Sequence, residues 1–207
     1  MPKKLKMPLP YLSYSAWDLY LRDPMEFYMQ YFVGRLDQAT NKMTLGKIFQ
    51  EAWSDPKYNY IKALREGGFT SNYTRIIKTA LEHPQTVRLP KKKCEKSFTV
   101  QGLGLNWPVM GVFDGDDEDA QLIVENKFGA PWNQDRVDQA KQLTWYAMVC
   151  KIKRRYIPKL LLQSINSKTG IPSKYWTRRT NFDIDKLVHD INTMIARVEA
   201  GDFEKHE

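Results

Sequence analysis

As far as about Pro84 the apolar residues recur at helical spacing. Ser13-Tyr14-Ser15 precedes Trp17, Leu19, Tyr20 and Leu21, and either serine can cap the free N–H groups of a first turn. Asp23-Pro24-Met25-Glu26 reads as a second helix start, with Asp as cap and Pro in the first turn, ahead of Phe27, Tyr28, Tyr31 and Phe32. Thr44 is the expected cap of a third helix carrying Leu45, Ile48, Phe49, Ala52 and Trp53. Asp55-Pro56 is expected to begin a fourth, which stops at Gly67-Gly68, and a last helix of this part spans about Ser71 to Glu82.

Beyond the loop Leu89-Pro90-Lys91-Lys92-Lys93 the period changes. Residues 94–101, about 103–115 and 120–127 alternate or run apolar, separated by Gly102 and by the acidic stretch Gly115-Asp116-Asp117-Glu118-Asp119, read as a turn. This predicts an antiparallel meander. A helix from about Gln134 to Cys150 follows, then strands near Tyr156–Ile165 and Lys174–Arg179 around a turn at Ser167-Lys168-Thr169-Gly170, then a helix from Ile184 to Ala200. The order predicts an α/β or α+β sheet with helices against it.

Composition sharpens this to one domain, residues 1–207, mainly helical over about 1–84 and a sheet core with flanking helices over 94–207. The chain has 207 residues and neither a linker nor a repeat, and its 42% apolar and 13% aromatic content suffices for a core. A formal net charge of +8 favours a polyanionic partner such as nucleic acid, with a merely soluble basic protein as the alternative. Cys94 and Cys150 lie far apart without metal-ligand spacing, which excludes a disulfide framework and a zinc site and fits a reducing compartment. The basic start MPKKLKMPLP leads into no signal-length apolar run, and no stretch approaches transmembrane length. A cytoplasmic location, in a bacterial or phage-infected cell, and no membrane partner are expected.

Candidate chemistry gathers at two apolar strand segments that end in charge. Glu125 and Lys127 are two apart and project from one face of a strand, and Asp114 can lie beside Glu125 across a hairpin-sized connection. Two carboxylates and an ammonium group make sense around a hard cation, Mg²⁺ or Mn²⁺, held by one or two carboxylates and a substrate phosphate. A solvated face or a cross-strand ion pair is the plainer alternative. Gln142 and Tyr146, four apart on the next helix, could bond DNA phosphates or an attacking water, or be an exposed amide beside a half-buried ring. Tyr175, Trp176, Arg178 and Arg179 interleave aromatic and basic groups as base stacking beside phosphate contact would require, although edge-strand solubility explains them too. Lys91-Lys92-Lys93 reads as a solvated loop in preference to a phosphate clamp, and Lys151, Lys153, Arg154 and Arg155 suit both phosphate and a helix C-terminus.

Taken in order, these segments resemble the PD-(D/E)XK nuclease superfamily, in its RecB-like exonuclease branch, from about Leu12 to Phe203. Ser13-Tyr14-Ser15-Ala16-Trp17 and Asp23-Pro24-Met25-Glu26-Phe27-Tyr28 match the opening helix motif, and Leu45-Gly46-Lys47-Ile48-Phe49-Gln50 the next. Gly111 to Asp114, Glu125-Asn126-Lys127, and Gln142 to Tyr146 match the remaining three. The resemblance implies a restriction-endonuclease-like core, a central mixed sheet flanked by helices behind a helical N-terminal part. It implies Asp114 and Glu125 as metal ligands with the backbone carbonyl of Asn126, Lys127 as the catalytic lysine, and Gln142, Tyr146, Ser13 and Ser15 along the DNA path. The implied activity is a Mg²⁺- or Mn²⁺-dependent deoxyribonuclease, an exonuclease at linear ends in recombination, repair or phage DNA processing. DNA, single- or double-stranded, is the implied partner, with a helicase or recombination protein as a further one. A catalytically weak binding module and a structure-specific endonuclease are the alternatives.

The chain departs from that pattern in three places. Phe113 stands where the superfamily's name has proline. Gln50 replaces a metal-binding histidine, and its amide oxygen is a weaker candidate ligand. Asp23 stands where cluster-bearing members place a cysteine, so no iron–sulfur cluster is expected.

Overall fold

The structure, a computed structural model, describes residues 5–35 and 40–204. Its centre is a six-stranded mixed sheet. In chain order the strands are β1 (Leu12–Ser13), β2 (Cys94–Val100), β3 (Val109–Asp117), β4 (Leu122–Gly129), β5 (Lys159–Asn166) and β6 (Pro172–Thr177). The helices are α1 (Tyr14–Arg22), α2 (Pro24–Tyr31), α3 (Asn41–Ser54), α4 (Tyr60–Glu66), α5 (Ser71–Glu82), α6 (Gln134–Asp138), α7 (Lys141–Arg154) and α8 (Asn181–Ala200). The sheet runs β1-β3-β4-β5-β6, with β2 on the other side of β3. The β2/β3, β3/β4 and β5/β6 pairs are antiparallel, while β1/β3 and β4/β5 are parallel. The expected meander is present over β2 to β4, and α6 and α7 form the crossover to parallel β5.

Two apolar layers cover the sheet. On one face Trp17, Phe27, Phe113, Ile123, Trp145, Leu162 and Ile191 join α1, α2, α7 and α8 to the strands. On the other, Phe49, Trp53, Leu64, Ile77, Val124, Leu161 and Ile165 join α3, α4 and α5. Ile123 and Val124 are consecutive and face opposite layers, as do Leu160 and Leu161, the two-residue alternation of a strand buried on both faces. Among the described residues no helix is long and apolar enough to cross a membrane.

Several element boundaries differ from the expected ones. Thr40, not Thr44, caps α3 by accepting from Met43 N–H, while the Thr44 hydroxyl donates to Thr40 O one turn back. Asp55 ends α3 instead of starting α4, whose cap is Asn59. The acidic stretch is strand as far as Asp117, because cations neutralise it. Arg154 grips buried Asp116 through two bonds, of 2.8 and 2.6 Å, and Lys93 pairs with Asp117. The helix expected over 134–150 is broken between α6 and α7, and Arg179 sits in the break, donating to Val137 O and Ala140 O, both at 3.1 Å.

Candidate active site

The alternation of β4 distributes its side chains between the two helical layers. Glu125 and Lys127 face α7, where they meet Tyr146 and Gln142. Asn126 and Phe128 face α3, where Asn126 bonds Gln50 and Phe128 stacks on Phe49 with ring centroids 5.2 Å apart. Asp114 reaches this place because the sheet forks. On the side of β3 away from β2, β1 pairs with Val109 and Met110 and β4 pairs with Gly115, Asp116 and Asp117. Residues 111–114 between them face an opening. Asp114 spans it, its Oδ2 accepting the Asn126 backbone N–H at 2.8 Å in place of a strand carbonyl.

Two glycines bracket that segment for packing reasons. A Cβ on Gly111 would lie 2.6 Å from the ring of Phe98, and one on Gly115 would lie 2.8 Å from Leu89 and 3.0 Å from Trp53. The first contact is on the α7 face of the sheet and the second on the α3 face.

Four side chains then close a ring. Lys127 Nζ donates to Glu125 Oε1 at 2.6 Å and to Gln142 Oε1 at 2.7 Å. Gln142 Nε2 donates to the Tyr146 hydroxyl at 2.9 Å. That hydroxyl has one proton and two acceptors in reach, Glu125 Oε2 at 2.9 Å and Val112 O at 3.2 Å, and the nearer, charged one is the stronger. Gln142 and Tyr146 therefore hold the carboxylate and ammonium groups in place. Tyr146, expected along a DNA path, is 3% exposed with its hydroxyl committed inside the ring, and it borders the same cleft as Ser13, Ser15 and Gln142.

The electrostatics leave a surplus of negative charge. Burial, then the charge of Glu125, pushes the Asp114 carboxyl well above the usual carboxylate range, against the hydrogen bond from Asn126. Burial opposes the charge on Lys127, but Glu125 beside it and Asp114 beyond hold its pKa above the ordinary lysine value. Burial and the same two carboxylates raise the Tyr146 phenol far above its normal value. One ammonium group serves two carboxylates, and a divalent cation fits that deficit. Among the described residues Asp114 Oδ1 accepts no hydrogen bond, and a cleft of about 500 Å³ opens on Asp114, Glu125, Lys127 and Lys47. No group of three or more His, Cys, Asp or Glu among the described residues is arranged to hold a metal. Asp114 and Glu125 are the two carboxylates available to a cation here, which would need water and a substrate phosphate to complete its shell.

Gln50, expected as a candidate metal ligand, lines the same cleft as Asp114 and Glu125. Its amide donates to Glu95 Oε1 at 2.5 Å, and its oxygen accepts from Asn126 Nδ2 at 3.1 Å. Asn126 in turn accepts from Gln163 at 2.8 Å, so Gln50 ends a chain of amides at the edge of the cleft. Glu95 is a residue that sequence reasoning missed. Burial and the charges of Glu51 and Glu125 raise its carboxyl, against the Gln50 hydrogen bond. Nothing in Cys94-Glu95-Lys96 marks it, because its left-handed φ of 50° is visible only in the fold. Tyr14 was also missed. It lines a second, smaller cavity of about 230 Å³ with Glu125, Lys127, Trp132 and Gln142, and burial, then Asp18 and Glu125, pushes its phenol up to about 12. Its position between the two motif serines was the available signal.

Of the other expected contacts, Ser13 and Ser15 lie on the same rim as Tyr14, Gln142 and Gly111. The Ser13 hydroxyl also caps α1 through Ala16 N–H at 3.2 Å. Arg179 is corrected. It is buried, 7% exposed, and bonded to Thr144, Thr177 and the carbonyls at the α6/α7 break, so no phosphate can reach it. Arg178 is exposed but distant. Lys127 is level with Ser164 and Ser173, whereas Thr177, next to Arg178, is level with Leu160 and hence Ile123. That offset along the strands is about 13 Å. Arg154 is likewise taken, by Asp116 and Glu118.

No model of a known protein family matches the chain, and no curated protein is similar to it in sequence. Its fold is similar to the crystal structure of a protein from Eubacterium rectale that is provisionally named an exonuclease. The TM-score is 0.66 at 15% identity, over 94% of this chain and 83% of that one. The chain has that mixed α/β fold, a central mixed sheet between helical layers.

Proposed function

We propose that the chain is a metal-dependent DNA nuclease of the PD-(D/E)XK type, hydrolysing phosphodiester bonds and acting as an exonuclease on linear ends. The observation that carries this is the meeting of Asp114, Glu125 and Lys127 at the fork between β3 and β4, beside an open cleft. The likeness of fold to a protein provisionally named an exonuclease supports it.

Asp114, Glu125 and the backbone carbonyl of Asn126 would hold Mg²⁺ or Mn²⁺. When bound, such an ion polarises a phosphate and acidifies water. The chain's own groups do the rest. Lys127, fixed by Glu125 and Gln142, offers its ammonium group to the charge that develops on the phosphate oxygens. Tyr146 keeps Glu125 aimed, and Lys47 adds positive charge at the mouth of the cleft.

The test uses linear and closed circular DNA, end-labelled where linear, incubated in Mg²⁺, Mn²⁺ or chelator beside Lys127→Ala. Digestion of linear DNA alone, absent in chelator and reduced about 100-fold or more in the variant, is expected. Cutting of closed circles would make it an endonuclease. One observation favours another class: Gln50, where a metal-binding histidine is usual, is turned to Glu95 and Asn126. Binding without cleavage in either metal would therefore identify a DNA-binding module of the same fold.

A further inference from the structure

Past Lys127 the catalytic cleft runs into a second groove, of about 570 Å³, which shares Lys42 and Phe128 with it. Leu45 and Phe128 floor this groove, and Tyr73 of α5 forms a wall. Phe128 is held in place by stacking on Phe49, and Tyr73 is braced edge-on by Phe69 with centroids 5.8 Å apart. Lys42 and Lys168 stand on the rim, and no carboxylate lines it. Among the described residues neither lysine has an acidic partner, whereas Lys91, Lys93, Lys96 and Lys127 all do. Ser167 N–H donates to Gly129 O at 3.0 Å, which fastens the Lys168 loop to the end of β4.

Resting on the nuclease function above, we propose that this groove receives the unpaired base of a nucleotide flanking the cleaved bond, so that the substrate is single-stranded DNA. Gly129 lies two residues beyond Lys127 on β4, about 7 Å at strand rise, the scale of one nucleotide repeat in an extended strand. The apolar floor and the Tyr73 ring suit the face of a base, and the two unpaired lysines suit the phosphates on either side. A base in an intact duplex is stacked and paired and cannot enter without being pulled out of the helix. The uncompensated charge and the continuity with the catalytic cleft both point to a polyanionic strand.

The experiment measures binding of a fluorescent single strand, its duplex, and a strand carrying abasic sites, to the full chain in chelator so that nothing is cut. The intact single strand is expected to bind several-fold tighter than the duplex. Removing bases, or Tyr73→Ala, weakens binding about 5- to 100-fold, and the two losses do not add. Lys168→Glu, on an exposed turn, lowers the salt slope without touching the core. Equal binding of intact and abasic strands would overturn the inference. So would unchanged strand affinity in Tyr73→Ala, with the nuclease function still standing if Lys127→Ala abolishes cleavage. A wild-type chain that neither binds nor cuts DNA would remove both.

Discussion

At the scale of single residues the site is a charge problem solved by a few hydrogen bonds. Tyr146→Phe removes one hydroxyl and leaves Glu125 Oε2 and Gln142 Nε2 without their partner. A rate about 10- to 100-fold lower at saturating metal is expected, with a stability loss of about 1–2 kcal/mol, checked by initial rates and urea denaturation. Asp114 behaves in the opposite sense. Its folded pKa is raised above the unfolded value near 3.9, so the folded state holds the proton more tightly between the two values. Stability of the metal-free chain therefore falls as pH rises from about 4 through the folded pKa. Asp114→Asn should raise the melting temperature in chelator at pH 7 by a few degrees while removing the stabilisation that Mn²⁺ gives the wild type. An unchanged or lower melting point would contradict the charge surplus described for the fork.

Among elements, the attachment of α7 to β3 is set by the Arg154–Asp116 pair, which aligns the helix carrying Gln142 and Tyr146 with the strand carrying Asp114. Arg154→Met leaves the buried Asp116 carboxylate with only Lys96, 3.6 Å away, and should destabilise by about 3 kcal/mol. Adding Asp116→Asn should restore most of that loss in a denaturant titration. This same region shows where the sequence was legible and where it was not. Glu125, Lys127, Gln142 and Tyr146 could be placed from periods of two and four alone, because those spacings fix which side chains share a face. The helix starts at Ser13 and Asp23 were equally plain, since each carries a short polar acceptor ahead of an apolar stripe. The destination of arginines was not. Arg154 and Arg179 look like any basic cluster on paper, and only tertiary contacts bring Asp116 and the α6/α7 break to them. Strand β1 was missed because two residues carry no period, and Glu95 because its role comes from a left-handed backbone opposite Asp114.

For the molecule as a whole, the positive charge matters by where it goes unanswered. Lys42 and Lys168 are among the described basic groups without an acidic partner, and they border the cleft system. Charge reversal there should cut strand affinity and flatten its salt dependence by about 0.7 per lost contact. The equal change at Lys62, already paired with Glu66, should leave the slope as it was, read from anisotropy titrations over a range of salt. The fork also has a consequence for what variation the chain tolerates. Gly111 and Gly115 are hemmed in from opposite faces, so a larger residue at the first would disrupt the α7 layer and one at the second the α3 layer. A library scored for cutting would rank these glycines as strictly as Asp114, which they flank, and Glu125. Scored for soluble expression, it would keep chains that have lost the acids and discard those that have lost the glycines.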